Sequence, residues 1–67
     1  VRSFELQTKP WARGLEIQIL EGGVEVGFTQ TEGSRARTQG AILDSVDHYL
    51  HLNFGLTDDE YTLTIRD

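Results

Sequence analysis

The chain predicts an α+β domain of order strand, strand, strand, helix, strand, and three observations predict it. Between Ser34 and Asn53 runs its one long stretch of helical period, where Ile42, Leu43, Val46, Tyr49 and Leu50 recur at three- and four-residue spacings. The other apolar segments alternate with polar residues: Phe4/Leu6, Leu15/Ile17/Ile19, Val24/Val26/Phe28 and Tyr61/Leu63/Ile65 each mark one face of a strand. Glu21-Gly22-Gly23 joins two of these segments with the glycines that a tight hairpin turn requires, because such turns need positive φ.

The first strand is expected over about Ser3 to Thr8. Lys9-Pro10 ends it, since proline lacks the amide donor that a central ladder needs. Trp11, Ala12 and Arg13 lead to Gly14, and the second strand begins near Leu15. The third covers Val24 to Gln30 antiparallel to the second, with Val26 and Phe28 on one face, and Gly27 inside it signals a close neighbour or a bulge. Thr31 to Arg35 is a polar turn, and Ser34 is the candidate helix cap. Gly40 costs about 1 kcal/mol in a helix relative to alanine, which moves the expected regular start to Gln39. Asn53-Phe54-Gly55 closes the helix with a residue suited to left-handed backbone.

Thr57-Asp58-Asp59-Glu60 has the spacing of a capping box, but the β-rich run Tyr61 to Arg66 leaves no room for a helix behind it. The expectation is one acidic turn and then strand four. The first three strands form an antiparallel meander. If strand four enters beside strand one, that pair is parallel and the helix is a crossover, expected to be right-handed, that covers one sheet face. The opposite face then carries Glu5, Gln7, Glu16, Gln18, Thr62 and Thr64 and meets water.

The chain has 67 residues, enough for one domain, and a domain of that size buries only about 60% of its unfolded surface. Domains below roughly 70 to 80 residues need added support. No cysteine is present, so disulfides and thiolate metal sites are excluded and homo-oligomerisation is the expected remedy. Lack of cysteine also suits a cytoplasmic setting. Eleven acidic against six basic residues give a net charge of -5, which disfavours nucleic acid as a partner of this domain and favours a basic protein. No apolar run approaches the roughly 20 residues that span a bilayer, so no membrane association is expected. A chain that begins at Val1 rather than Met is consistent with excision from something longer.

Chemistry is sparsely signalled. Asp44, Asp47, His48 and His51 fall at i, i+3, i+4 and i+7, a helix stripe of competent zinc-ligand types, with Asp47 spaced to pair with His51. Without a ligand motif, the stripe reads as a solvated face. Asp58-Asp59-Glu60 diverge on a turn, and Ser34 and Ser45 have no base placed beside them. Gly22-Gly23 does not lead from a strand into a helix and so is no phosphate cradle. No catalytic residue, metal or cofactor is assigned. The candidate partner-binding residues are Trp11, Arg13, Arg35 and Arg37. Tryptophan and arginine are enriched in binding hot spots, and Arg35 and Arg37 cluster before the helix where they can meet an anion or an acidic group. Trp11 also fits as a lid over the core edge. Exposed strand edges supply a further association surface.

Val26-Gly27-Phe28-Thr29-Gln30, the turn after it, the helix segment from Ala41 to Leu50 and the closing run from Asp59 to Arg66 together resemble the small HicB-like antitoxin family. Gly14-Leu15-Glu16-Ile17-Gln18-Ile19 is similar to that family's second strand. The resemblance implies a partial ribonuclease-H-like sheet with one helix and no catalytic power, which binds and masks a small basic ribonuclease toxin of the HicA type. Longer members carry a C-terminal helix-turn-helix or ribbon-helix-helix. The sequence through Asp67 holds no such segment, so the expectation is a member without a DNA-binding domain. Gly33, Arg35 and Arg37 lengthen the turn before the helix relative to the family, a departure that bears on toxin pairing. One alternative is a solitary domain of the same fold, phage- or mobile-element-encoded, with another protein or ligand partner. The other is a vestigial two-metal nuclease drawing on Glu5, Asp44 or Asp47, and Asp67.

Overall fold

The computed structural model describes residues 1–66. It is an α+β fold: a four-stranded mixed sheet and one helix, in the chain order β1 (Arg2–Trp11), β2 (Gly14–Glu21), β3 (Val24–Glu32), α1 (Gln39–Phe54), a 3-10 turn (Asp58–Glu60) and β4 (Tyr61–Arg66). The sheet order is β3-β2-β1-β4. β1 runs antiparallel to β2, β2 antiparallel to β3, and β1 parallel to β4. The meander and the β1–β4 pairing follow the alternation and turn signals; Asp67, a candidate nuclease ligand, lies outside the described residues.

One apolar layer fills the space between sheet and helix. Phe4, Leu6, Leu15, Ile17 and Ile19 from the sheet meet Ile42, Val46 and Leu50 from α1, with Tyr61 closing one end. Leu43 and Tyr49 pack at the margin of this cluster. Outside the end of the core, Arg2 donates from Nε and Nη2 to the two Glu21 oxygens at 2.9 and 2.7 Å. Its guanidinium lies 5.0 Å from the Phe4 ring centroid and 5.4 Å from that of Phe54, close enough for cation–π attraction.

Four expectations are corrected. β1 does not stop at Lys9-Pro10 but continues to Trp11, with Pro10 opposite Leu15 and Trp11 opposite Gly14. Proline is tolerated there because the described pairing with β4 ends at Gln7, so the outer edge of β1 beyond it carries no ladder in which an amide is needed.

The helix cap is Thr38, not Ser34. Its backbone is extended (φ -76°, ψ 151°) and its Oγ1 accepts the Ala41 amide proton at 3.2 Å. Residues 34–37 are taken up by turns, with Ala36 N–H donating to Gly33 O and Thr38 N–H to Arg35 O. The regular helix accordingly begins at Gln39 and closes at Gly55, whose φ of 67° is left-handed.

Phe28 does not share the core face with Val26. The β2–β3 register passes from Ile19 opposite Gly27 to Leu20 opposite Glu25, so Val26 is an extra residue, a bulge. The insertion exchanges the two faces of β3: Gly27, Thr29 and Thr31 pair with Ile19, Ile17 and Leu15, while Phe28 pairs with Gln18. Phe28 therefore stands on the open face, 42% exposed, and Val24 at the strand's start is 64% exposed.

Asp47 and His51 do not pair with each other; both turn towards Tyr61, as described below.

Candidate functional site

Two loops distant in sequence form the first candidate site. The β1–β2 hairpin tip brings Ala12, Arg13 and Gly14 against Gly33, Ser34 and Arg37 of the β3–α1 connection, around a depression of about 210 Å³. The connection is tied down by Gly33 N–H, which donates to Arg13 O at 3.1 Å, and by buried Thr31, whose hydroxyl donates to Ala36 O at 2.7 Å. Gly14 is required by space: a Cβ there would collide with the Thr31 carbonyl and crowd the Ala36 methyl.

Arg37 reaches back over this junction, donating from Nη2 to Trp11 O at 3.1 Å and from Nε to Gly14 O at 3.4 Å. Neither bond uses Nη1. Among the described residues, ion pairs to carboxylates form at Arg2 and Arg66, and none forms at Arg13, Arg35 or Arg37. The structure thus brings Arg13 and Arg37 onto one depression, with Trp11 held through its carbonyl. Arg35 is exposed beside them and does not line the depression. Trp11 is half-buried, and its indole N–H is buried without a hydrogen-bond partner among the described residues. An unsatisfied donor of this kind costs about 1–3 kcal/mol.

A second cluster gathers at the C-terminal end of the helix. The Tyr61 hydroxyl donates to Asp47 Oδ1 at 2.6 Å and lies 3.4 Å from Asp58 Oδ1 and 3.5 Å from His51 Nε2. His51 Nε2 is 2.9 Å from Asp58 Oδ1. Burial pushes the Tyr61 phenol above its ordinary range, and the neighbouring Asp47 carboxylate adds to the shift. Its alternation with Leu63 and Ile65 marks Tyr61 in the sequence only as a strand residue, and the i, i+4 spacing of Asp47 and His51 carries no sign that β4 presents a phenol between them.

In the acidic turn, Glu60 Oε1 accepts the Thr57 amide proton at 2.8 Å. The Thr57 hydroxyl lies 2.6 Å from Asp59 Oδ1 and 2.8 Å from Glu60 Oε1. Hydrogen bonds from Thr57 hold both carboxyls below their ordinary range. Among the described residues, no group of three or more His, Asp or Glu is placed to hold a metal ion. Glu5 shares the outer face with Arg66, 3.7 Å away, whereas Asp44 and Asp47 belong to the helix on the other side of the sheet. The nuclease constellation is therefore not assembled from Glu5 and the helix acids.

The open sheet face is the third candidate. Gln7, Thr8, Lys9, Glu16, Gln18 and Phe28 surround a depression of about 450 Å³, one aromatic among polar side chains. Among the described residues, no helix is long and apolar enough to cross a membrane. Comparison with protein-family models, with curated proteins and with solved structures finds no match to this chain.

Proposed function

We propose that this domain is a protein-binding module, an antitoxin-like domain that binds and masks a small basic ribonuclease toxin. The observation that carries the reading is the net charge of -5, since complementary charge speeds encounter with a basic partner and discriminates against others. The strand order and the single helix over a mixed sheet are compatible with the HicB-like resemblance, and the finer ribonuclease-H-like arrangement is part of the proposal. Trp11, Arg13, Arg35 and Arg37 are the contact residues of this reading, the arginines meeting carboxylates of the partner. The domain performs no reaction of its own, and it self-associates.

Co-expression tests it. A short basic toxin encoded beside this chain should arrest growth alone, lose its effect when this chain is present, and co-elute with it in size-exclusion chromatography. Growth arrest that persists, with no complex, ends the antitoxin assignment. Light scattering across micromolar concentrations checks self-association, against which a monomer throughout would count.

A second reading is favoured by Phe28. An aromatic residue 42% exposed beside a polar depression suits a different protein or ligand docked on the open sheet face. Chemical-shift changes confined to Gln7, Gln18 and Phe28 on adding a partner would support it over the toxin reading.

A further inference from the structure

The geometry points to an oxyanion-binding site in the depression between the β1–β2 hairpin tip and the β3–α1 connection, taking a phosphate group. This inference does not depend on the toxin reading. Arg13 and Arg37 enter the depression from its two walls, and its lining residues, Ala12, Arg13, Gly14, Gly33, Ser34 and Arg37, include no carboxylate. Neither guanidinium is in an ion pair among the described residues, so the two cations line one depression with no carboxylate in its lining. An anion held between two guanidinium groups is attracted by both.

Arg37 is also fixed before any ligand arrives. Its bonds to the Trp11 and Gly14 carbonyls orient the guanidinium plane and leave Nη1 uncommitted. A pre-oriented fork loses less entropy per hydrogen bond to a phosphate than a free one. The walls are rigid for a separate reason, since Gly33 N–H is bonded to Arg13 O and Gly14 packs against the Thr31 carbonyl. Arg13 is exposed, and its side chain makes no hydrogen bond among the described residues, so it can close on the anion from the opposite side. Ser34 adds a hydroxyl at the rim. At about 210 Å³ the space admits one tetrahedral oxyanion with some of its hydration. Two arginines supply the forked, charge-assisted hydrogen bonds that such an anion takes best.

The test is an amide chemical-shift titration of the full chain with inorganic phosphate at constant ionic strength, with sodium chloride and sodium acetate as comparison salts. Saturable shifts at Gly14, Gly33 and Ser34 are expected with phosphate, and smaller ones with acetate. R13Q should weaken phosphate binding about tenfold without changing the rest of the spectrum, because hydrogen bonds to charged groups are worth that much. R37Q should weaken it at least as far; since Arg37 also clamps the hairpin, R13Q is the variant that decides. Shifts that rise linearly, that chloride or acetate reproduces, or that R13Q leaves undiminished would overturn the assignment.

Discussion

A Cβ built on Gly27 would lie 2.6 Å from Cε1 of the Tyr49 ring. The helix therefore settles on β3 through an aromatic ring lying against a bare backbone. The bulge at Val26 makes this possible by turning Gly27, rather than Phe28, towards α1. Gly27→Ala should destabilise the domain by about 1–2 kcal/mol, in the range of overpacked core substitutions. Combined with Tyr49→Ala, the same change should cost less than it does alone. A double-mutant cycle by urea denaturation checks this, and additive effects would contradict the contact.

Gly14 makes a harsher version of the same test. Its missing Cβ would strike the backbone carbonyl of Thr31, which cannot swing aside as a ring can. Gly14→Ala should therefore exceed Gly27→Ala, at about 3 kcal/mol or outright failure to fold. Thermal unfolding of the two variants side by side ranks them.

Phe28 lies on the open face, so its removal should be mild. Phe28→Ser is expected to change stability by less than about 1 kcal/mol, whereas Ile17→Ala, at a fully buried site one strand away, should cost about 2–5 kcal/mol. A Phe28 variant as damaging as the Ile17 variant would place the aromatic ring back in the core.

Tyr61 links stability to alkaline pH. Its folded pKa is raised, so the neutral phenol favours the folded state, and its contribution is fully present below the ordinary tyrosine value of about 10. Above that pH the unfolded chain ionises first and the contribution is lost. Tyr61→Phe should cost about 1 kcal/mol at pH 7 through the lost bond to Asp47 and should flatten the decline above pH 10. Urea midpoints at pH 7 and pH 10.5 measure both effects.

The acidic turn acts at the other end of the scale. Folded pKa values of Asp59 and Glu60 are lowered by hydrogen bonds from Thr57, so their contribution is present above the ordinary carboxylate range and lost as pH falls through the folded values. Thr57→Ala removes the hydroxyl but keeps the amide. It should shift the Asp59 titration upward and leave Glu60 partly depressed, as carboxyl chemical shifts between pH 2 and 6 can report. Equal titration of Asp59 in the two proteins would refute the role of the hydroxyl.

Much of the architecture was legible because it is local. The spacing of Ile42, Val46 and Leu50, the glycines after Glu21, Gly55 beyond the helix and the alternation of Tyr61, Leu63 and Ile65 depend on neighbours within a turn or two. Gly27 signals a close neighbour or a bulge; the neighbour is Tyr49, and the bulge lies one residue earlier, at Val26. The side on which Phe28 falls was not legible, because a single unpaired residue is defined only against the register of β2. Pro10 was legible as a strand breaker; the limited reach of β4 is what lets β1 continue through it. Of the candidate binding residues, Arg13 and Arg37 meet in space although 24 positions separate them.

By itself the sequence determined the kinds of element, their order and the acidic charge, because helix and strand periods and ionisation are properties of short segments and of composition. Tertiary structure alone decided which face of β3 looks inward, that Tyr61 stands between Asp47 and His51, and that two arginines share one depression. Those outcomes depend on register and crossing between distant segments, where shifting one residue reverses the direction of a side chain.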